Sequence, residues 1–145
     1  MAGKLTPELA HLLNERKIIR AQINRDMILK EIEAAASDLK DAQDYVQNQK
    51  LKWATIQAYY SMFHSSRELL FSKGYREKSH IPLLRAIREL FSKELEQSTL
   101  AMFENGMNLR EEADYGLKFS EEGADDPIEG AKIFLSKAKA ILNLQ

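Results

Sequence analysis

The sequence predicts an all-α fold, an antiparallel up-and-down helical bundle of four main helices with short additional helices. Three observations support this. Apolar residues recur at steps of three and four along most of the chain, which is the period of a helix. No segment alternates with period two for long enough to indicate a strand. There are three prolines, and each stands where a helix would begin, namely Pro7, Pro82 and Pro127.

The first half of the chain predicts a short helix and a long one. Thr6 before Pro7 is a good N-cap, and the short helix that follows is either separate or the start of the next. The long helix extends from about Ile18 to Asn48 with charged flanks. Its narrow apolar stripe, typical of a bundle seam, consists of Ile28, Ile32, Ala35, Leu39, Ala42 and Val46.

The segment from about Lys50 to Lys73 predicts the central helix, because it is apolar or small on most sides. One face carries only small residues, which let another backbone approach closely. That neighbour lies either within the domain, the more frequent arrangement, or across the two-fold axis of a dimer. The small residues are Ala54, Ala58, Ser61 and Ser65.

The second half predicts four further pieces. Three helices extend from about Pro82 to Ser92, from about Leu95 to Phe103 and from about Asn108 to Phe119. A last helix begins at Pro127. Gly74 and Gly106 stand where helices should end, and Gly123 is expected in a loop.

Length and composition indicate one soluble globular domain over residues 1–145, with residues 1–20 as an N-terminal helical extension. The chain has 145 residues, 30% of them charged and 44% apolar, and no cysteine. The lack of cysteine excludes a thiol nucleophile, a redox switch and the usual structural zinc site. The longest uncharged stretch, Trp53 to Ser66, is too short and polar to span a bilayer. With no signal-peptide pattern at the N-terminus, we expect a cytoplasmic protein without membrane contact.

The net charge of −1 hides an uneven distribution. Residues 14–30 hold five basic and two acidic side chains, and residues 67–93 hold seven and three. Residues 94–129 hold two basic and eleven acidic ones. Solvated helix faces are the simpler interpretation, and a surface for phosphates or a charged partner is the functional one.

Polar residues at helical spacing form the first group of candidate site residues. Tyr60, His64 and Arg67 share one face of the central helix, either as a polar stripe that satisfies its own hydrogen bonds or as part of a site. His80 stands at the entry of the next helix and serves there as a cap or as a functional group. His11 is expected at the surface or in a cap.

The segment LREEADYG contains the second group. Arg110 and Asp114 are four residues apart and can form an ion pair on one helix face. Tyr115 follows at the expected helix end. A glycine-rich phosphate loop, HExxH, GxSxG and sequence-local metal-ligand spacing are all absent from the sequence, so we expect neither a metal site nor a cofactor.

The run AYYSMFHSSRELLFSKGYREKSHIPLLRAIRELF, from Ala58 to Phe91, resembles the HEPN family of small helical bundles. LREEADYG and the closing DPIEGAKIFLSKAKAIL fit the same family. The most specific pieces are AYYSMFH, GYREKSH and R-x-x-x-D-Y. The resemblance extends from about Ile23 to the C-terminus and is to the small stand-alone prokaryotic members.

The resemblance implies a homodimer, often partnered with a minimal nucleotidyltransferase as a toxin–antitoxin pair. Many HEPN domains are metal-independent ribonucleases marked by a closely spaced arginine and histidine. In some partnered members a tyrosine just after that motif accepts AMP. Here Arg110 is present but Asp114 stands where histidine is expected, and an aspartate is a poor base near neutral pH. Tyr115 stands in roughly the place of the modifiable tyrosine.

Three functions therefore stay open. The first is a homodimeric HEPN-type module that binds a nucleotidyltransferase partner and, as further ligands, nucleotide or RNA. The second is an atypical ribonuclease with Arg110 and His80 as catalytic residues. The third is a non-catalytic structural protein. The candidate nucleotide- or RNA-binding residues are Tyr60, His64, Arg67, Arg76 and Asp114, and the candidate modification site is Tyr115.

Overall fold

Six helices and two very short strands make up the part of the chain that the structure, a computed structural model, describes. The backbone is described over residues 5–114 and 121–143, and the side chains over residues 5–111 and 127–143. In chain order the elements are α1 (Pro7–Asn14), β1 (Ile18–Arg20), α2 (Arg25–Gln47), α3 (Leu51–Ser72), β2 (Tyr75–Glu77), α4 (His80–Leu90), α5 (Gln97–Asp114) and α6 (Glu121–Ile141).

The four long helices α2, α3, α5 and α6 form the bundle, and α3 lies at its centre in contact with the other three. This confirms the predicted all-α class. Tyr59, Met62 and Leu69 of α3 are fully buried. None of the described helices is both long and apolar enough to cross a bilayer.

The small-residue face of α3 packs inside the domain. The Ser61 hydroxyl donates a hydrogen bond to the backbone carbonyl of Ala35 on α2, at 2.8 Å. Ala58 packs with Ala42 of α2 and Ile128 of α6. The face therefore brings α2 close to α3, which is the intradomain alternative of the two that the sequence left open.

The long second helix begins at Arg25 and not near Ile18, so the sequence-based start was wrong. The Asn24 side chain caps α2 by accepting a hydrogen bond from the Met27 N–H at 2.9 Å. Ile18 instead lies in β1 and is fully buried. A strand of three residues is too short to show a period of two, so its pattern could not be separated from a helical one.

The two strands pair antiparallel, with Ile18 opposite Glu77, Ile19 opposite Arg76 and Arg20 opposite Tyr75. Gly74, with a φ of 82°, follows α3 and allows the chain to turn into β2. The predicted helix end at this glycine is confirmed.

Two predicted helices after α4 are in fact the single helix α5, and Gly106 lies inside it. A Cβ at Gly106 would lie 2.5 Å from the Met62 Cε atom, so the glycine serves the close packing of α5 on α3. Gly123 and Pro127 lie inside α6, which begins at Glu121. The proline costs α6 one intrahelical hydrogen bond but does not set its start.

Candidate functional site

A cluster of aromatic and basic side chains lies where α3, the start of α4 and α5 meet. We call it the His80 cluster and define it as Tyr59, Tyr60 and Phe63 of α3, His80 of α4 and Arg110 of α5. Tyr59 is buried, whereas the other four are partly exposed. Solvent therefore reaches a group of rings that also contacts the core.

The His80 imidazole is held by the aromatic residues of α3. It stacks on the Phe63 ring with centroids 4.5 Å apart and on the Tyr59 ring at 5.5 Å. Its Nδ1 atom forms a hydrogen bond with the Tyr59 hydroxyl. The N-cap of α4 is Ser79, so the His80 side chain is oriented by another helix and does not cap its own.

Arg110 approaches the same tyrosine from α5. Its Cζ atom lies 5.4 Å from the centroid of the Tyr59 ring, within the range of a cation–π contact. Tyr59 thus contacts His80 through its hydroxyl and ring and Arg110 through its ring. The structure brings together the two residues that the sequence suggested as catalytic.

The surroundings favour the neutral forms of both His80 and Tyr59. Burial, followed by the charges of Arg110 and Arg67, lowers the pKa of His80, and Glu111 opposes this. Burial is the main cause that raises the pKa of Tyr59. At neutral pH the cluster therefore holds an uncharged imidazole and an uncharged phenol beside a guanidinium cation.

His64 and Arg67 belong to a second group, the carboxylate network, formed with Glu31, Asp38 and Glu77. His64 Nδ1 lies 2.5 Å from Glu31 Oε2 and its Nε2 lies 3.6 Å from Asp38 Oδ2. Arg67 Nη1 lies 3.2 Å from Glu31 Oε1, and its Nε lies 2.9 Å from Glu77 Oε2. Both basic side chains are thus engaged by carboxylates of the same chain.

The network also contacts the His80 cluster, because the Arg67 Cζ atom lies 5.5 Å from the centroid of the Phe63 ring. Within the network, burial raises the pKa of Asp38, and the charge of His64 opposes this. The sequence left open whether Tyr60, His64 and Arg67 form a self-satisfied polar stripe or part of a site. The structure places Tyr60 in the His80 cluster, and it places His64 and Arg67 in a polar group that satisfies its own contacts.

The remaining candidates lie elsewhere. Arg76 is exposed on β2 and points to the opposite face of the strand from Glu77, hence away from the network. Asp114 is the last residue of α5, and its side chain and Tyr115 lie outside the described residues. His11 is exposed on α1, as expected.

Sequence reasoning missed Tyr59, Phe63, Glu31 and Glu77. The spacing of four between Tyr59 and Phe63 places both rings on one face of α3, and this signal was available. Glu31 and Glu77 could not be found from helical spacing. Glu31, for example, lies 33 residues before its partner His64. Only the packing of α2 and β2 on α3 brings these carboxylates to the site.

Comparison with known proteins gives consistent matches. The family model of the HEPN domain matches residues 29–144. A Methanocaldococcus jannaschii protein named "Putative toxin MJ0605" is 31% identical over 130 residues, which cover 86% of this chain and 97% of that protein. A second protein of that organism, "Putative toxin MJ0142", is 28% identical over 130 residues, 87% of this chain and 88% of its own.

An Archaeoglobus fulgidus protein named "UPF0332 protein" is 34% identical over 91 residues, which cover 59% of this chain and 71% of that protein. The family model and the first relative each span more than two thirds of the chain. On this basis, and in agreement with the helical bundle, the chain belongs to the HEPN domain family.

Proposed function

We propose that this chain is a toxin-like HEPN protein that acts as a homodimer, engages a minimal nucleotidyltransferase partner and binds a nucleotide or RNA at the His80 cluster. The observation that carries the binding site is the convergence of Arg110 and His80 on Tyr59. The toxin names of two relatives support the toxin-like role.

The chemistry of the cluster suits a nucleotide. A guanidinium group provides a cation and several N–H donors for a phosphate. Because Nδ1 bonds with the Tyr59 hydroxyl, the neutral His80 imidazole offers its Nε2 atom, which donates or accepts one hydrogen bond according to the tautomer. Tyr60 and Phe63 are partly exposed, and aromatic faces of this kind stack on nucleobases without strong sequence preference.

Binding is tested by titrating the protein with AMP and with a short fluorescent poly-uridine oligoribonucleotide. Arg110→Gln is expected to weaken both by about ten-fold or more, because a hydrogen bond to a charged group contributes roughly 1.5–3 kcal/mol. Arg88→Gln is the matched control, since Arg88 pairs with Glu104 in an exposed ion pair. Equal affinities for the parent and Arg110→Gln would contradict the proposed site.

The partner is tested by co-expression with a minimal nucleotidyltransferase, followed by mass analysis. We expect a stable complex and the mass of an added AMP on the peptide that contains Tyr115. A Tyr115→Phe variant should lose the added mass and retain the complex. An unmodified Tyr115 beside an active partner would remove the proposed modification.

A metal-independent ribonuclease is the second candidate, favoured by the neutral His80 imidazole beside the Arg110 cation. Such a reaction needs a base for the 2′-hydroxyl and a cation for the charge on the phosphorane, and these residues supply both. RNA incubated with the protein in EDTA should be cleaved by the parent and left intact by His80→Ala and Arg110→Ala. Cleavage that survives in both variants would rule out this assignment.

A further inference from the structure

The hydroxyl group of Tyr59 has one hydrogen-bond partner among the described residues, the Nδ1 atom of His80. Tyr59 is fully buried, so bulk water does not reach this hydroxyl. Phe63 and Phe103, whose rings pack on the Tyr59 ring, have no acceptor atom. The Arg110 guanidinium beside the same ring is a donor only. His80 Nδ1 is therefore the acceptor that this site offers to the Tyr59 hydroxyl proton.

The position of the ring proton of His80 decides which way this hydrogen bond runs. A phenol donates or accepts, and Nδ1 of a neutral imidazole does one or the other according to the tautomer. If Nδ1 carried the proton, the Tyr59 hydroxyl would accept, and its own proton would be buried without an acceptor. Such an unpaired buried donor is costly. If the hydroxyl donates to Nδ1, both groups are satisfied.

The surroundings keep the two groups in the protonation states that this arrangement needs. Burial raises the pKa of Tyr59, so the hydroxyl retains its proton at neutral pH. Burial, followed by the charges of Arg110 and Arg67, lowers the pKa of His80, and Glu111 opposes this. The imidazole is therefore neutral and carries one ring proton. A proton excluded from Nδ1 by the Tyr59 hydroxyl lies on Nε2.

The Nε2 atom of His80 is the part of the ring that a ligand can reach. It forms no hydrogen bond with a described residue, and it is not one of the buried side-chain atoms that lack a partner. His80 is partly exposed, so solvent reaches this atom. The opposite side of the ring is held by the Tyr59 hydroxyl, and one face is covered by Phe63 at a centroid distance of 4.5 Å.

We propose that Tyr59 fixes His80 as the tautomer with its proton on Nε2, so that His80 presents an N–H donor to the ligand. His80 and Arg110 then offer only donors, which fit the anionic oxygens of a phosphate group. Tyr59 is buried and acts through His80, so it is a positioning residue. The inference rests on the proposed function and adds which part of the nucleotide His80 recognises. It also separates the two candidate functions, because a base at Nε2 needs a lone pair that this tautomer lacks.

The tautomer is measured without a ligand, by NMR correlation of ring protons with ring nitrogens in the ¹⁵N-labelled full chain at neutral pH. The signals of His80 are assigned by their loss in His80→Gln. We expect a protonated Nε2 and an unprotonated Nδ1 in the parent. A proton on Nδ1, or protons on both nitrogens, would overturn the inference, and the parent spectrum decides this whatever the stability of any variant.

The role of Tyr59 is tested by the same spectrum of Tyr59→Phe, which keeps the ring and removes the hydroxyl. Part of the molecules should then carry the His80 proton on Nδ1. Tyr45→Phe is the matched control and should give the parent's spectrum, because the Tyr45 hydroxyl bonds to no described residue. If Tyr59→Phe kept the parent's tautomer in full, Tyr59 would not be the residue that sets it.

The donor role of His80 is tested by titrating His80→Phe with AMP and with adenosine. The phenyl ring keeps an aromatic face against Phe63 but has no donor. AMP should therefore bind about ten-fold or more weakly, as expected for the loss of a hydrogen bond to a charged group, whereas adenosine should lose little. An equal loss for both ligands would contradict a contact with the phosphate. Failure of the proposed function has a different signature, in which Arg110→Gln leaves AMP binding intact.

Discussion

Tyr59 contacts both candidate catalytic side chains, His80 and Arg110. One contact orients the imidazole and the other attracts the guanidinium group. The hydrogen bond between its hydroxyl and His80 Nδ1 fixes the rotation of the imidazole. Its ring attracts the Arg110 guanidinium. Since Tyr59 is itself fully buried, the core of the bundle determines where the site side chains stand.

Removal of the Tyr59 hydroxyl should cost stability. Tyr59→Phe keeps the stacked ring but leaves His80 Nδ1 without this partner, so the free energy of unfolding should fall by about 1 kcal/mol. Urea denaturation measures this change. Tyr45→Phe on α2 is the control, because the Tyr45 hydroxyl bonds to no described residue. An equal stability of Tyr59→Phe and the parent would contradict the hydrogen bond.

Arg67 should help to lower the pKa of His80, after burial and the charge of Arg110. Its positive charge lowers the pKa of His80, so Arg67→Gln should raise that pKa, as measured by NMR titration of the ring protons. Arg67→Lys retains the charge and should keep the pKa low. If Arg67→Gln left the His80 titration unchanged, the electrostatic link between the network and the cluster would be wrong.

The sequence could suggest His80 because it stands at the entry of a helix, and Arg110 because it belongs to the segment LREEADYG that resembles the HEPN family. It could not show that both reach Tyr59, since the hydrogen-bonded pair Tyr59 and His80 are 21 residues apart. Arg67 illustrates the same difficulty. Its position on a polar face was visible, but its two carboxylate partners come from α2 and β2.

At the scale of elements, α3 carries a carboxyl group into the interior. Glu68 continues the small-residue face of Ser61 and Ser65 and is fully buried. Its two carboxyl oxygens accept no hydrogen bond from the described residues. Burial raises the pKa of Glu68 to about 8, opposed by the charge of Lys139 and assisted by that of Glu31. The side chain is therefore mostly neutral in the folded protein at neutral pH.

This residue should make stability depend on pH. Below pH 4.5, the ordinary pKa of a glutamate side chain, the carboxyl is neutral in both the folded and the unfolded state. Between that value and about 8 the unfolded chain ionises while the folded one keeps its proton, so stability falls as the pH rises. Glu68→Gln removes this loss and should be more stable than the parent at pH 8, with a smaller difference at pH 5.

Urea denaturation at the two pH values measures the effect of Glu68→Gln. Glu33→Gln on the exposed side of α2 is the matched control and should show no such pH-dependent gain. If the stability difference between Glu68→Gln and the parent were the same at pH 5 and pH 8, Glu68 would be ionised in the folded protein.

Helix caps and apolar stripes could be recognised because they are local. Thr6 caps α1, and the stripe of α2 faces the bundle. The two strands could not be recognised from the sequence, because each has three residues and pairs with a strand more than 50 residues away. Gly106 in α5 and Pro127 in α6 led to wrong predicted helix boundaries for a related reason. Their usual role is local, whereas Gly106 serves a contact with another helix.

At the scale of the whole molecule, the fold joins the two basic zones of the sequence. β1 lies in the zone of residues 14–30 and β2 in that of residues 67–93, and their antiparallel pairing brings the two zones together. A chain with a net charge of −1 thus presents a local positive field. Such a field steers anionic ligands and weakens with added salt.

The proposed homodimer is tested by size-exclusion chromatography with light scattering. We expect twice the mass of the 16.6 kDa chain at micromolar concentration, because the resemblance to small HEPN proteins implies a dimer. A species of one chain at all concentrations would contradict this. The same measurement on Arg110→Gln is the control and should give the parent's mass.

The most direct test of the central claim is NMR mapping of an oligoribonucleotide titration on the full chain. The account predicts that the largest shifts fall on Tyr59, His80 and Arg110. Saturating RNA that leaves the resonances of the His80 cluster unchanged, while others move, would contradict it.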